Sequence, residues 1–148
     1  MILFLLRGPP PENIGGGIYA IIIATHPARV VVGSLGEVEF KHGYALYIGS
    51  AQRSLRGRLR RHFEGGRRVR WHIDYLLQVF TPVSAIALPG ARKSCEEELA
   101  IRLSQRFPYV KGFGSSDDSS PSHLFLSADY RELFQELIRA SLTLCESR

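Results

Sequence analysis

The chain has 148 residues, 45% of them hydrophobic and 22% charged, with a net charge of +5. That suits one globular domain with room for a real core, spanning residues 1–148. The early apolar run Met1 to Leu6 stops at Arg7 and the prolines that follow. It is too short to cross a bilayer and no small-residue cleavage site follows it, so we expect a cytoplasmic protein without a membrane partner.

In chain order, Met1 to Leu6 reads as an edge strand, and the Pro/Gly segment from Gly8 to Gly17 separates it from the rest. Ile18 to Ala24 is rich in β-branched residues. Arg29 to Gly33 and Glu37 to Phe40 read as two further strands, and Tyr44 to Gly49 as the next. Gly33, Gly36 and Gly43 punctuate these runs as hairpins require. Ser54 to Phe63 has a helical pattern, as does Trp71 to Val79 with Ile73, Leu76 and Leu77 apolar. Val83 to Leu88 predicts a strand, Cys95 to Phe107 a helix, and His123 to Leu126 a short strand. About residues 128–144 form an amphipathic C-terminal helix with Leu133, Phe134, Leu137 and Ile138 on one face. Strands first and helices later predict an α+β fold, with helices flanking a small antiparallel sheet. Two cysteines, Cys95 and Cys145, give neither a disulfide framework nor a zinc spacing, and Cys95 is expected to be structural.

The charge is concentrated. Residues 53–70 carry eight arginines, Arg53, Arg56, Arg58, Arg60, Arg61, Arg67, Arg68 and Arg70, against the single acid Glu64. Such density suits a polyanion, because neutralising phosphates releases condensed counterions, whereas a solubility face mixes signs. At about 100° per residue, Leu55, Arg58, Leu59 and His62 share one arc, while Arg53, Arg56 and Arg60 point the other way. An arginine aimed at a core needs either an acidic partner or an anion to receive.

Two strand ends bring phenols to this helix. Tyr19 alternates with Ile21 and Ile23, and Tyr47 with Ala45 and Gly49. If the two strands pair, both phenols emerge on one face beside Gly49, whose missing side chain would let a phosphate approach; the alternative is two tyrosines packing a sheet. Among Glu96, Glu97 and Glu98, the S-x-x-E spacing from Ser94 assigns Glu97 to a capping box and Glu98 to solvent. Glu96 shares its face with Leu99, Ala100, Leu103 and Phe107, so it serves either the helix dipole or a metal. His72 and Asp74 read as structural or substrate-positioning residues. Asp117 and His123, in a loop that also holds Ser116 and Asp118, read as a polar turn or a metal-binding loop.

Gly17-Ile18-Tyr19, Tyr47-Ile48-Gly49, Arg58-x-x-x-His62 and Glu96-x-x-Leu99-Ala100, in that order, resemble the GIY-YIG nuclease family. Trp71-His72-Ile73-Asp74-Tyr75-Leu76-Leu77, Gly112 to Asp117 and Ser122-His123-Leu124-Phe125 look like an uncharacterised branch of it whose members are sometimes fused to a DNA glycosylase. The resemblance implies a three-stranded antiparallel core sheet and an endonuclease that hydrolyses phosphodiester bonds with one divalent ion, Mg²⁺ or Mn²⁺. Nucleic acid, DNA in particular, is the implied partner. It also implies roles for five residues. Tyr19 would be general base or water-positioning phenol, and Tyr47 a contact to the scissile phosphate. Arg58 would stabilise the pentacoordinate phosphorus, His62 would move a proton or hold phosphate, and Glu96 would bind the ion.

The chain departs from the family pattern at several points. Tyr19 and Tyr47 are 28 positions apart, so an extra hairpin at about residues 29–40 must be inserted. The late Asn of many family members has no counterpart near Pro108 or Lys111. Where the branch has cysteines after Ser-Asp, this chain has Asp118 and Ser120. Two alternatives stand beside the nuclease: a nucleic-acid-binding module that has lost turnover, and a partner-binding domain whose arginines pair with acids of another protein.

Overall fold

The structure, a computed structural model, describes residues 4–65 and 68–145. It is a mixed α+β fold built on a five-stranded antiparallel sheet. The strands are β1 (Phe4–Leu6), β2 (Gly17–Thr25), β5 (Gly43–Ala51), β6 (Thr81–Pro89) and β7 (Leu124–Ser127), in the spatial order β1-β6-β2-β5-β7. The three-stranded core implied by the family resemblance is therefore the centre, β6-β2-β5, and β1 and β7 extend it on both edges. The expected inserted hairpin is present as β3 (Ala28–Val31) paired with β4 (Glu37–Phe40), a separate two-stranded sheet with Val30 opposite Val38.

Both faces of the sheet are covered, which is why β2 reads as a continuous apolar run rather than a strict alternation. On one face Tyr19, Ile21, Ile23, Ala45 and Tyr47 pack against α1 (Leu55–Glu64), α2 (His72–Leu77) and the inserted hairpin. On the other, Ile18, Ile22, Leu46 and Ile48 pack against α3 (Lys93–Ser104) and α4 (Tyr130–Leu144). Ser54 does not open α1 but caps it, its hydroxyl accepting from Gly57 N at 2.9 Å. Asp129 caps α4 in the same way, accepting from Arg131 N at 2.9 Å. The capping box expected from Ser94 and Glu97 is absent. Helix α3 starts earlier, after Arg92, and Glu97 instead accepts from the Ser119 backbone N–H at 2.8 Å. Glu136, buried on α4, holds α3 alongside through Arg102 and Arg106, whose nitrogens lie 4.0 and 3.6 Å from its carboxylate.

The cysteines overturn the expectation drawn from their spacing. Cys95 near the start of α3 and Cys145 just beyond α4 are bonded in a disulfide, with Cα atoms 5.4 Å apart and both residues buried. The bond closes a loop of 50 positions and fastens the chain's last helix to the turn that carries Glu96. No helix among the described residues is long and apolar enough to cross a membrane. A loop of that size predicts about 4 kcal/mol of stabilisation through the unfolded state. Urea unfolding should accordingly show the Cys145→Ser variant less stable by up to that amount, and dithiothreitol should destabilise the wild type but leave the variant unchanged.

Candidate functional site

Strands β2 and β5 pair so that Tyr19 lies opposite Gly49 and Tyr47 opposite Ile21. Both phenols therefore rise from one face, as the alternation predicts. Gly49 has a different task from the one expected. A Cβ there would lie 2.5 Å from both the hydroxyl and Cζ of Tyr19, so the glycine makes room for the tyrosine ring rather than for a phosphate.

Tyr19 is 1% exposed and shares a 2.8 Å hydrogen bond with His62 Nε2, itself 1% exposed. His62 Nδ1 is buried without a hydrogen-bond partner among the described residues. Burial raises the Tyr19 phenol above its ordinary value, and the Arg58 guanidinium opposes this without reversing it. Burial likewise lowers His62 to about 4, with Asp74 pulling the other way and Arg58 and Arg61 reinforcing it. Proton transfer from Tyr19 to His62 is thus resisted at both ends, and the pair is a neutral hydrogen-bonded unit behind the cleft wall.

The cleft itself is a cavity of about 590 Å³ lined by Tyr47, Ser50, Arg58, His72 and Glu96 among others. Its Tyr47 phenol is raised well above the ordinary value by burial, with Tyr19 and Glu96 adding to the effect, so it stays protonated. Arg58 faces the sheet as the helical arc predicts. Its Nη1 donates to Ser50 O at 2.7 Å and its guanidinium lies 4.3 Å above the Trp71 ring. No carboxylate ion pair to Arg58 occurs among the described residues, so the structural-partner alternative is not realised there. Glu96 extends from α3 to the same cleft with a side chain only 14% exposed. Burial pushes its carboxyl up, against the pull of His123, Ser50 and Lys93.

The remaining arginines divide unevenly. Arg53 and Arg60 are exposed and Arg56 half-exposed, as expected for an outward face. Arg60 approaches Glu64 at 3.8 Å. Arg68 and Arg70 are exposed, and Arg70 lines the cleft. Arg67 lies outside the described residues. Arg61 departs from the expected nucleic-acid surface: both its terminal nitrogens donate to Asp74, at 2.7 and 2.9 Å, and it stacks on Trp71 at 4.4 Å. Asp74 also accepts from the backbone N–H groups of Arg70 and Trp71. Burial would raise that carboxyl, but these hydrogen bonds hold it below its ordinary range. Asp74 is therefore the structural anchor of the segment entering α2. His72, two positions before Asp74, accepts from Gly114 N at 2.8 Å through Nδ1, so its neutral form carries the proton on Nε2. Burial lowers its imidazole and so favours that neutral form.

The loop before β7 brings its acids and histidine to the same end of the sheet. Asp117 is exposed at the cleft rim. Asp118 Oδ2 and the buried His123 Nε2 form a 2.7 Å contact, and His123 Nδ1 lies 3.9 Å from the Glu96 carboxylate. Asp118 and His123 belong to the loop whose acids and histidine read as a polar turn or a metal site; Trp71, which the sequence reading gives no role, gathers Arg58, Arg61 and Arg70 within 4.9 Å of its ring. The sequence signal for Trp71 is that the chain's one tryptophan closes its arginine run.

Fold and site together define an α+β domain with a cationic, carboxylate-bearing cleft at the end of its central strands. The family model described as domain of unknown function DUF123 matches residues 18–145, and the chain belongs to that family. Comparison with curated proteins and with solved structures finds no match.

The sign of the His62 shift gives a pH test. The unfolded imidazole has a pKa near 6.5, so its stabilising contribution is complete above that value and is lost as pH falls towards 4. The difference amounts to about 3 kcal/mol between pH 7 and pH 4. In paired urea titrations, His62→Gln should lose less stability than the wild type over that interval. Equal losses would mean that His62 is not buried in its neutral form.

Proposed function

We propose that this chain is a divalent-metal-dependent endonuclease of the GIY-YIG type, acting on DNA. The observation that carries this reading is the meeting of Tyr47, Arg58 and Glu96, from a strand and two different helices, in one cleft, with the Tyr19–His62 pair directly behind it. A phenol donor, a guanidinium and a carboxylate at one place are what in-line displacement at phosphorus requires.

Each side chain then has a task. Arg58, fixed by Ser50 O and the Trp71 ring, keeps the rest of its planar fork for phosphate oxygens, where negative charge grows in the transition state. Tyr47, protonated, donates to a non-bridging oxygen or to the attacking water. Tyr19 and His62 stay neutral, so they act by positioning rather than as the base. Lys93 and Arg70, at the cleft wall, attract the flanking backbone. The donor set fits an ion: a half-buried carboxylate raised by desolvation and facing a polar cleft is stabilised by a cation. The chemistry that Mg²⁺ or Mn²⁺ on Glu96 supplies is charge neutralisation and a more acidic bound water. The location we propose is the cytoplasm, a compartment that reduces exposed disulfides in most cells; the burial of Cys95 and Cys145 protects theirs.

Supercoiled plasmid, flap and branched DNA incubated with Mg²⁺ or Mn²⁺ should be nicked, and EDTA should stop the reaction. Arg58→Ala and Glu96→Gln should each slow cleavage by about 10²-fold or more. Paired Arg56→Ala and Arg60→Ala substitutions should weaken binding and lower the salt slope by about 1 per arginine. Nicking that persists in both cleft variants removes the assignment. Salt-sensitive binding without metal-dependent cleavage of any substrate makes the chain a binding module on the same fold.

A further inference from the structure

The loop of residues 112–123 is held tightly to the end of β5. Its Gly112 N donates to Pro121 O and its His123 N to Phe113 O, both at 2.8 Å, around the fully buried Phe113. His123 is clamped from two directions: Ile48 N donates to His123 O at 3.0 Å, and His123 Nδ1 lies 3.0 Å from Ile48 O. A carbonyl oxygen only accepts, so Nδ1 carries a proton and donates it there. That leaves Nε2 of a residue 2% exposed aimed at Asp118 Oδ2, 2.7 Å away. In that tautomer a lone pair faces the carboxylate, an arrangement that a metal ion placed against both atoms would satisfy.

The surroundings favour the metal. We propose that Glu96, Asp118 and His123 form a single divalent-metal site at the cleft wall, and that the imidazole makes it prefer Mn²⁺ to Mg²⁺. This deepens the nuclease reading through Glu96, but it stands or falls on metal binding alone. One ligand atom from each residue lies within 4.8 Å of the other two. On a common ion adjacent ligands are separated by about 3 Å and opposite ones by about 4.2 Å, so sub-ångström shifts, His123 and Asp118 slightly apart and Glu96 inward, close the set. Two carboxylates with a neutral imidazole match a double positive charge. Ligating histidines characteristically donate their other N–H to a backbone carbonyl, as His123 does to Ile48. Asp118 is oriented too. Its Oδ1 accepts from Ser120 N at 2.9 Å and Ser120 Oγ at 2.6 Å, leaving Oδ2 for the ion. Glu97 is engaged by Ser119 and so is excluded as a ligand. A nitrogen donor beside carboxylates shifts preference away from the all-oxygen ion Mg²⁺, and affinity rises from Mn²⁺ through Co²⁺.

The test titrates Mn²⁺ into the metal-stripped full chain and follows free Mn²⁺ by electron paramagnetic resonance, without DNA. The expected result is one saturable ion per chain, bound tighter than Mg²⁺. Glu96→Gln, Asp118→Asn and His123→Gln should each weaken it by about 10–100-fold, while Glu98→Gln on the exposed side of α3 should not. Because His123→Gln disturbs a buried position, Co²⁺ bound to the wild type gives a second readout: its visible spectrum should carry a nitrogen ligand, and His123 ring protons should show large paramagnetic shifts. Absence of saturable binding would overturn the proposal. Mn²⁺ affinity unchanged by Asp118→Asn, or Mg²⁺ bound as tightly as Mn²⁺, would also overturn it while leaving metal on Glu96 and the nuclease reading intact. Tight three-residue binding with no DNA cleavage would remove the nuclease reading and leave the metal site.

Discussion

The pairing of β2 with β5 in a register that sets Tyr19 across from Gly49 is the constraint on which the site depends. Side chains alternate with a period of two, so a one-residue slip of either strand would turn its phenol towards α3 and α4. The glycine is what the register demands, since any side chain at position 49 would collide with the Tyr19 ring. With that ring seated, its hydroxyl reaches His62 on α1, and the helix is fixed in rotation. Arg58, one turn earlier, then has to face the cleft. Backbone geometry in two strands thus determines where a guanidinium on α1 can point.

Burial, more than charge, sets the chemistry of this region. Desolvation holds Tyr19 and Tyr47 in their neutral forms although Arg58 stands beside them, and holds His62 neutral with Arg58 adding to the effect. The cations are kept in place by other means. Trp71 offers its faces and edges to three guanidiniums, and Asp74 neutralises Arg61 bidentately. The partly buried ion pair and the stacked arginine are not alternatives: Asp74 shapes the segment that carries Trp71, and Trp71 supports Arg58. The arginine run accordingly contains an outward group open to solvent, a structural member, and one aimed at the cleft.

Much of this was legible in the sequence because it is local. The helical arc separated Arg58 and His62 from Arg53, Arg56 and Arg60, and the distance between the two tyrosines announced the hairpin that appears as β3 and β4. What was not legible depends on contacts between distant segments. Cys95 and Cys145 are brought together only when α3 packs on α4, which no spacing rule encodes. Ser94 and Glu97 have the spacing of a capping box, yet Ser119 from the far loop competes for Glu97 and wins. Arg61 lies on the edge of the helical arc, and only the approach of Asp74 decides that it faces inward. Asp118 and His123 sit in a Ser/Asp-rich stretch that reads as a turn, and their relation to Glu96 appears only when β7 joins β5.

The central claim is that the cleft between Tyr47, Arg58 and Glu96 receives a phosphodiester. A crystal structure of the Glu96→Gln variant with a short DNA duplex tests it most directly. The account predicts a backbone phosphate within hydrogen-bond distance of the Tyr47 hydroxyl and the Arg58 guanidinium. DNA lying instead along Arg53, Arg56 and Arg60, with no phosphate in the cleft, would contradict it.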